Sequence, residues 1–201
     1  MEITPAVSTH VEAIQDLSFK HHFLNHSNEL NAIRDGFTGV ILSKKILSDI
    51  ISEGLSKVIV IDGELKGYFL FCSPKVYQKA FGISFNDFLH KYHVAPAPDS
   101  VYAVEAFVEP KINLEEFFEQ IKESVFGNLS EKGYGVSFTE VPQNNSISIR
   151  VHSKLGYRFL SAQETDLWCD YKGDDKDLLK KLKRSATTET VVWNLYKKAF
   201  A

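Results

Sequence analysis

Three ionisable side chains sit where their neighbours would alter their chemistry. Glu105 interrupts the strongly apolar run 101–108, and alternation along a strand puts it on one face with Val101, Ala103 and Phe107. A carboxylate desolvated there has a raised pKa and can accept a proton directly or through water; the plainer reading is a half-exposed strand residue paired with a lysine. Glu140 lies near the end of the strand-like run 135–141, before Val141-Pro142, and is the second candidate base. His152 lies in a helical segment, 145–155, where an imidazole of ordinary pKa, about 6.5, is suited to giving up a proton. Its plainer reading is a half-buried histidine bonded to a neighbour. In this segment Ile147, Val151 and Leu155 recur every four residues and are expected to face a sheet. Asn145, Ser148 and His152 then form an adjacent polar stripe that can bind, although an asparagine at a helix start also serves as a cap.

Other reactive residue types carry less. His21, His22 and His26 cluster, and His90 and His93 have a spacing seen in metal sites, but no cysteine or paired acid completes either set, so they read as solvated helix surface with no metal. Cys72 and Cys169 are expected as buried free thiols of a reducing compartment. The lysines around 176–184 are interleaved with Asp174, Asp175 and Asp177, which reads as a solvated helix face. Twenty-three basic residues against 26 acidic ones give a net charge of -3, so nothing calls for nucleic acid or an anionic membrane as partner. No stretch reaches the ~18 apolar residues of a membrane span, and the first residues lack a secretory pattern, so the chain reads as cytoplasmic.

The elements that must position these residues can be read from periodicity. With 201 residues, 44% hydrophobic and 24% charged, the chain has the composition of one globular domain and not of a disordered or fibrous protein. Val11, Ile14 and Leu17 mark a first helix capped by Ser8 or Thr9, and the run 41–51, stopped at Gly54, marks a second. Asp62-Gly63 between 58–61 and 65–72 makes the clearest hairpin. A helical insertion over 76–92, a strand over 101–108, a helix over 114–129 and a strand over 135–141 follow. After the helix that stops at Gly156 come a strand from 157, a charged helical stretch around 177–184 and a last strand over 190–196. That order predicts an α/β or α+β fold, a mixed, mostly antiparallel sheet with helices on its faces.

The segment Asn145-Ser-Ile-Ser-Ile-Arg-Val-His-Ser-Lys-Leu-Gly-Tyr157 resembles the N-x-x-A-x-x-x-Y/H-x-K-L-G-F/Y helix of the GNAT acyltransferases. The order of elements is also similar over nearly the whole chain. The resemblance implies a single GNAT-like domain over 1–201, with an insertion at about 73–100 and a charged helical segment at about 174–187. It implies an N-acyltransferase that moves an acetyl or other acyl group from acyl-coenzyme A to a small amine or peptide. Glu105, with Glu140 behind it, would take the proton from the attacking ammonium, and His152 would protonate the leaving thiolate, a position where the family often has tyrosine. Phe107 and Val108 at the strand end, with Asn145 and Ser148, would hold the pantetheine arm. Phe81, Phe85, Phe88, Tyr92 and Tyr102 lie where the family forms its acceptor pocket.

One part of the pattern departs. The family's strand ends in V-x-P, kept here as Val108-Glu109-Pro110, and is followed by an R-x-x-G-x-G/A loop whose N–H groups hold pyrophosphate. Here Lys111-Ile-Asn-Leu-Glu-Glu116 contains neither glycine nor arginine. Asn113 and Glu116 have capping-box spacing and would occupy those N–H groups themselves, while two carboxylates in the first turn would repel phosphate. Acetyl-coenzyme A is therefore expected to bind weakly or in an altered pose. This departure sustains a second reading, a catalytically silent GNAT-fold module that binds or regulates.

Overall fold

Asp62 and Gly63 both have positive φ, 52° and 78°, the pair of left-handed residues that a two-residue hairpin requires. They join strands β2 (Lys57–Ile61) and β3 (Glu64–Cys72) in a computed structural model that describes residues 1–27, 29–110, 112–113, 117–166, 172–184 and 190–200. Around this hairpin stand β1 (Glu2–Pro5), β4 (Ser100–Val108), β5 (Val136–Pro142), β6 (Arg158–Asp166) and β7 (Thr190–Ala199), in the order β1-β2-β3-β4-β5-β7-β6. All neighbours are antiparallel except β4 and β5. The sheet is thus the mixed, mostly antiparallel one expected.

The parallel pair is short. Ser100, Val101 and Tyr102 face Val136, Ser137 and Phe138, and no later residue of β4 pairs with β5. Beyond this point the strands part, with the Thr139 hydroxyl donating to the Ala103 carbonyl at 3.1 Å where the gap begins. The backbone edge of β4 that faces the gap has no strand to bond.

Helices cover both faces. On one side α1 (Val11–His21), α3 (Lys44–Ser52), α4 (Pro74–Phe81) and α5 (Phe85–Lys91) bury Ile14, Leu47, Ile50 and Leu89 against Tyr68, Leu70, Tyr102 and Phe138. On the other, α6 (Phe118–Ile121), a π-helical stretch (Lys122–Gly127) and α7 (Asn128–Glu131) bury Ile121, Val125 and Leu129 against Ile59, Phe69, Phe71 and Val101. A shorter helix, α2 (Glu29–Asp35), precedes α3; α8 (Ser146–Lys154) lies between β5 and β6, and α9 (Lys176–Leu179) between β6 and β7. No helix among the described residues is long and apolar enough to cross a membrane.

Several expectations are corrected. Ser8 and Thr9 do not cap α1: they enter a 3-10 turn, Ser8–His10, and His10 precedes the helix without a side-chain cap. The second helix starts at Lys44 and not at Ile41, because Ser43 accepts from the Ile46 N–H and the backbone of Ile41 is bound elsewhere. The Ile41 N–H donates to the Asp174 carboxylate at 3.1 Å and its carbonyl accepts from the Asp175 N–H at 2.7 Å. The insertion is two helices broken at Gly82, whose φ of 82° ends α4, and Ser84 caps α5. The charged helix is only one turn long, Lys176–Leu179. Cys72 is a buried free thiol, whereas Cys169 and residues 114–116 lie outside the described residues.

Candidate active site

The gap between β4 and β5 is where the sequence puts Glu105, and a bulge decides which way that side chain points. Leu70 pairs with Glu105 and Phe71 with Ala103, so Val104 is an extra residue in β4. An extra residue puts two successive side chains on one face. Val101 and Ala103 pack into the core under α6, while Glu105 turns to the α1 side with Phe107. The expectation that Glu105 shares a face with Val101 and Ala103 is therefore wrong, and only Phe107 stays with it.

On that side the Tyr68 hydroxyl donates to Glu105 Oε2 at 2.6 Å and the Ser18 hydroxyl approaches the same oxygen at 3.3 Å. Oε1 is buried and makes no hydrogen bond of normal geometry. Burial pushes the carboxyl up to about 7, against the pull of the Tyr68 and Ser18 hydroxyls and the Val40 and Gly39 backbone. Its partners are hydroxyls and not a lysine. A group balanced near neutrality can both take and release a proton at working pH.

Glu140, on β5 across the gap, accepts from the Tyr92 hydroxyl and, at 3.0 Å, from the Tyr102 hydroxyl. Burial raises it too, opposed by both tyrosines and by Lys91. Glu105 and Glu140 line one small chamber of about 70 Å³ with Phe81 and Tyr102. Phe85, Phe88 and Tyr92, expected as pocket walls, are core residues: Phe85 and Phe88 pack on Tyr77, and Tyr92 packs on Phe88.

The helix α8 closes the gap from above. Asn145 caps it: Oδ1 accepts from the Ser148 N–H at 3.2 Å, while Nδ2 donates to the Phe37 carbonyl at 3.2 Å. The oxygen end of its amide thus caps α8, and the nitrogen end ties α8 to the chain before α3. His152 Nδ1 lies 2.8 Å from the Ser148 carbonyl, and a carbonyl can only accept, so Nδ1 carries the proton and Nε2 is the nitrogen left as an acceptor. Burial lowers the imidazole pKa, which favours this neutral form, and the ring stands edge-on to Tyr157 at 5.2 Å. The helix also turns differently from expectation. Asn145, His152 and Leu155 are its buried residues, whereas Ile147 and Val151 are half-buried. They do look toward the sheet, but over the gap, so a cavity replaces the strand they would have packed on.

That cavity, about 320 Å³, runs between α8 and the chain leaving β4. Ala106, Phe107 and Val108 form its floor, Phe118 and Ile121 one wall, and Ile147 and Val151 the other. Phe37, Ala106, Asn145, Ser148 and His152 border both this groove and the small chamber, so the two meet at His152. At its far end Arg150 and Lys154 stand on α8, and the Lys154 ammonium lies 5.4 Å from the centre of the Phe118 ring. Glu109, on the loop, is paired with Lys20 at 3.2 Å and Lys66 at 3.5 Å. Lys111 and the proposed capping partner Glu116 lie outside the described residues, so the Asn113–Glu116 box does too.

The structure brings together Glu105, Glu140, Phe107, Val108, Asn145, Ser148 and His152 around one gap. Sequence reasoning missed Tyr68 and Ser18, the partners of Glu105, and Arg150. Tyr68 had a readable signal, a hydroxyl inside the apolar run of β3. The histidine cluster is corrected as well: His22 is buried, at 2% exposure, and pushed down to about 4 by that burial, while the His21 ring packs on Phe107 at 4.5 Å. Among the described residues no three His, Cys, Asp or Glu side chains gather as metal ligands would.

No family model and no curated protein matches this chain in sequence. In structure it is similar to the ribosomal-protein-alanine N-acetyltransferase of Brucella melitensis, with a TM-score of 0.58, 10% identity and all of both chains covered. It is similar to the paiA N-acetyltransferase of Thermoplasma acidophilum in complex with coenzyme A, with a TM-score of 0.55, 12% identity and coverage of 99% of this chain and 98% of that one. The polyamine N-acetyltransferase of Drosophila melanogaster matches at a TM-score of 0.57, 9% identity and 99% of both chains. At such identities the likeness establishes the fold, and the chain has the fold of the GNAT acetyltransferases.

Proposed function

We propose that this protein is an N-acyltransferase that moves an acetyl or related acyl group from acyl-coenzyme A to a small amine or peptide amine. The observation that carries the reading is Glu105: a buried carboxylate balanced near pH 7, set where β4 and β5 part. The groove fits the donor in size and character. Its walls are apolar, the free edge of β4 at Phe107 and Val108 offers backbone partners to an amide-bearing arm, and its volume is in the range of ligand sites. When bound, the donor supplies an acyl thioester.

The residues of the chain then have distinct tasks. The small chamber takes the amine head of the acceptor, and Glu105 accepts its ammonium proton, leaving a nucleophilic nitrogen. Protonated Glu105 is a stable product of that step because its burial favours the neutral acid. Glu140, held by Tyr92 and Tyr102, balances positive charge in the chamber and is the reserve base. His152 offers Nε2 at the junction as an acceptor that orients the amine N–H. It can protonate the departing thiolate, the role its place in the helix suggests, only after taking up a proton there.

A second reading, the silent binding module, is favoured by one specific observation, the loop 111–116 without glycine or arginine. The separating experiment is transfer itself. The purified protein is incubated with acetyl-coenzyme A and a panel of diamines, aminoalkyl compounds and peptides with free N-termini, and free thiol is recorded with acceptor mass. Time-dependent thiol release with an acetylated acceptor is the expected result. Binding of acetyl-coenzyme A without transfer to any acceptor would give the silent module, and no binding would overturn the donor.

A further inference from the structure

We infer that the acceptor of the small chamber is an unbranched aliphatic amine, entering by an aminopropyl or aminobutyl end, and not the α-amine of a peptide or amino acid. The inference rests on the N-acyltransferase reading above and narrows its acceptor. Size sets the first limit. The chamber holds about 70 Å³, and at ~10–15 Å³ for each water-sized group it has room for about five of them, an ammonium nitrogen and a short chain of carbons. A peptide N-terminus exceeds that with its first residue and the amide that follows, and it spreads those atoms over a branch at Cα.

What the walls offer sets the second limit. Among the described residues that line the chamber there is no lysine or arginine, while Glu105 and Glu140 bring two carboxylates. Side chains that could donate hydrogen bonds are engaged within the protein. The Thr38 hydroxyl gives its proton to the Ser18 carbonyl at 2.9 Å, that of Thr139 to the Ala103 carbonyl, that of Tyr102 to Glu140, and the Asn145 amide gives an N–H to the Phe37 carbonyl. The hydroxyls of Tyr77 and Ser148 can accept as well as give. His152, with its proton on Nδ1, presents Nε2 as an acceptor, and one Glu105 oxygen makes no hydrogen bond of normal geometry. Phe81 and Trp193 add aromatic surface. Such walls suit a group rich in donors and free of acceptors, which is an ammonium on a hydrocarbon chain. The carbonyl of a peptide or the carboxylate of an amino acid would be buried beside two carboxylates and short of donors.

The test is an NMR titration of the unmodified protein, with and without coenzyme A, using butylamine, 3-methylbutylamine, 3-aminopropanoate and alaninamide. The second and third share a shape and differ in charge, and alaninamide carries the branch and carbonyl of a peptide N-terminus. Butylamine should bind about tenfold more tightly than alaninamide, and 3-methylbutylamine about a hundredfold more tightly than 3-aminopropanoate. Glu105→Gln and Glu140→Gln should each weaken butylamine about tenfold, which ties it to the chamber. The same order should appear in kcat/KM with acetyl-coenzyme A as donor. Alaninamide or 3-aminopropanoate bound or acetylated as well as its alkyl counterpart would overturn the inference. So would butylamine that does not bind, or that both variants bind undiminished. Transfer to alaninamide in preference to butylamine would leave the acyltransferase reading standing without this inference. The reverse outcome is distinct: amines bound in the expected order and never acetylated would remove transfer and leave the chamber a site for alkylammonium ions.

Discussion

The two chambers that meet at His152 hold charge in opposite ways. In the small one both carboxylates are buried and bonded by hydroxyls, Glu105 at one oxygen by Tyr68 and Ser18, Glu140 at both by Tyr92 and Tyr102. In the groove the walls are largely apolar, and the charged residues that border it, Glu109, Arg150 and Lys154, lie toward the loop and the exposed side of α8. Hydroxyls keep a buried carboxylate near its point of protonation, because they bond it without the full charge that would pin it ionised. On the proposed reading, proton transfer falls to the first region and holding the donor to the second.

The largest effect should come from separating the two carboxylates of the small chamber. Glu105→Gln keeps shape and removes basicity, so kcat/KM should fall about a hundredfold or more, while Glu140→Gln should fall about tenfold, through weaker attraction of the amine. A larger loss at Glu140 would transfer the base to β5.

The next effect is on stability. Glu105 is raised from 4.5 to about 7 in the folded protein, so the native state binds more protons than the unfolded one between those values. Its contribution is therefore full below about pH 4.5 and is lost as pH rises through about 7. Relative to Glu105→Gln, the unmodified protein should lose about 2 to 3 kcal/mol of unfolding free energy between pH 5 and pH 8, measured by urea melts. A difference that does not change with pH would show that the carboxyl ionises in the fold as it does in water.

A finer test isolates the hydroxyls. Tyr68→Phe removes a bond that stabilises the Glu105 carboxylate, so the acid limb of the pH–rate profile should move to higher pH. Well below the limb, near pH 6, the rate should be about fivefold lower, one hydrogen bond's worth, and near pH 9 almost unchanged. A profile that keeps its position would make Tyr68 a packing residue only.

Much of this architecture was legible because it rests on local rules. Asp62-Gly63 had to turn, Gly156, with a φ of 90°, had to stop α8, and alternation gave the strands. What escaped depends on partners far along the chain. Ile41 belonged to a helical pattern, yet its backbone bonds to Asp174 and Asp175, more than a hundred residues away, and the helix began later. Val104 reads as one more apolar strand residue, and nothing in its type announces that β4 carries an extra residue beside Leu70 and Phe71. That single bulge turned Glu105 from one face of the sheet to the other. The identity of the candidate base was readable, its surroundings were not. Arg150 was passed over because a charged residue on a helix is ordinarily solvated surface, and that it borders the groove is visible only in the fold.

The sheet order carries a consequence for biosynthesis. Of these seven strands β7 is made latest, and it lies between β5 and β6, which pair with it and not with each other. A nascent chain that has completed β6 therefore has no template for it, and β5 presents an open edge in the meantime. Final assembly has to wait for 190–199 and then proceeds by inserting one strand between two others. Glu105 and its partners on β3 and α1 precede that event in synthesis, but Trp193 of β7 also lines the small chamber, so the seventh strand completes the wall of the site as it locks the sheet.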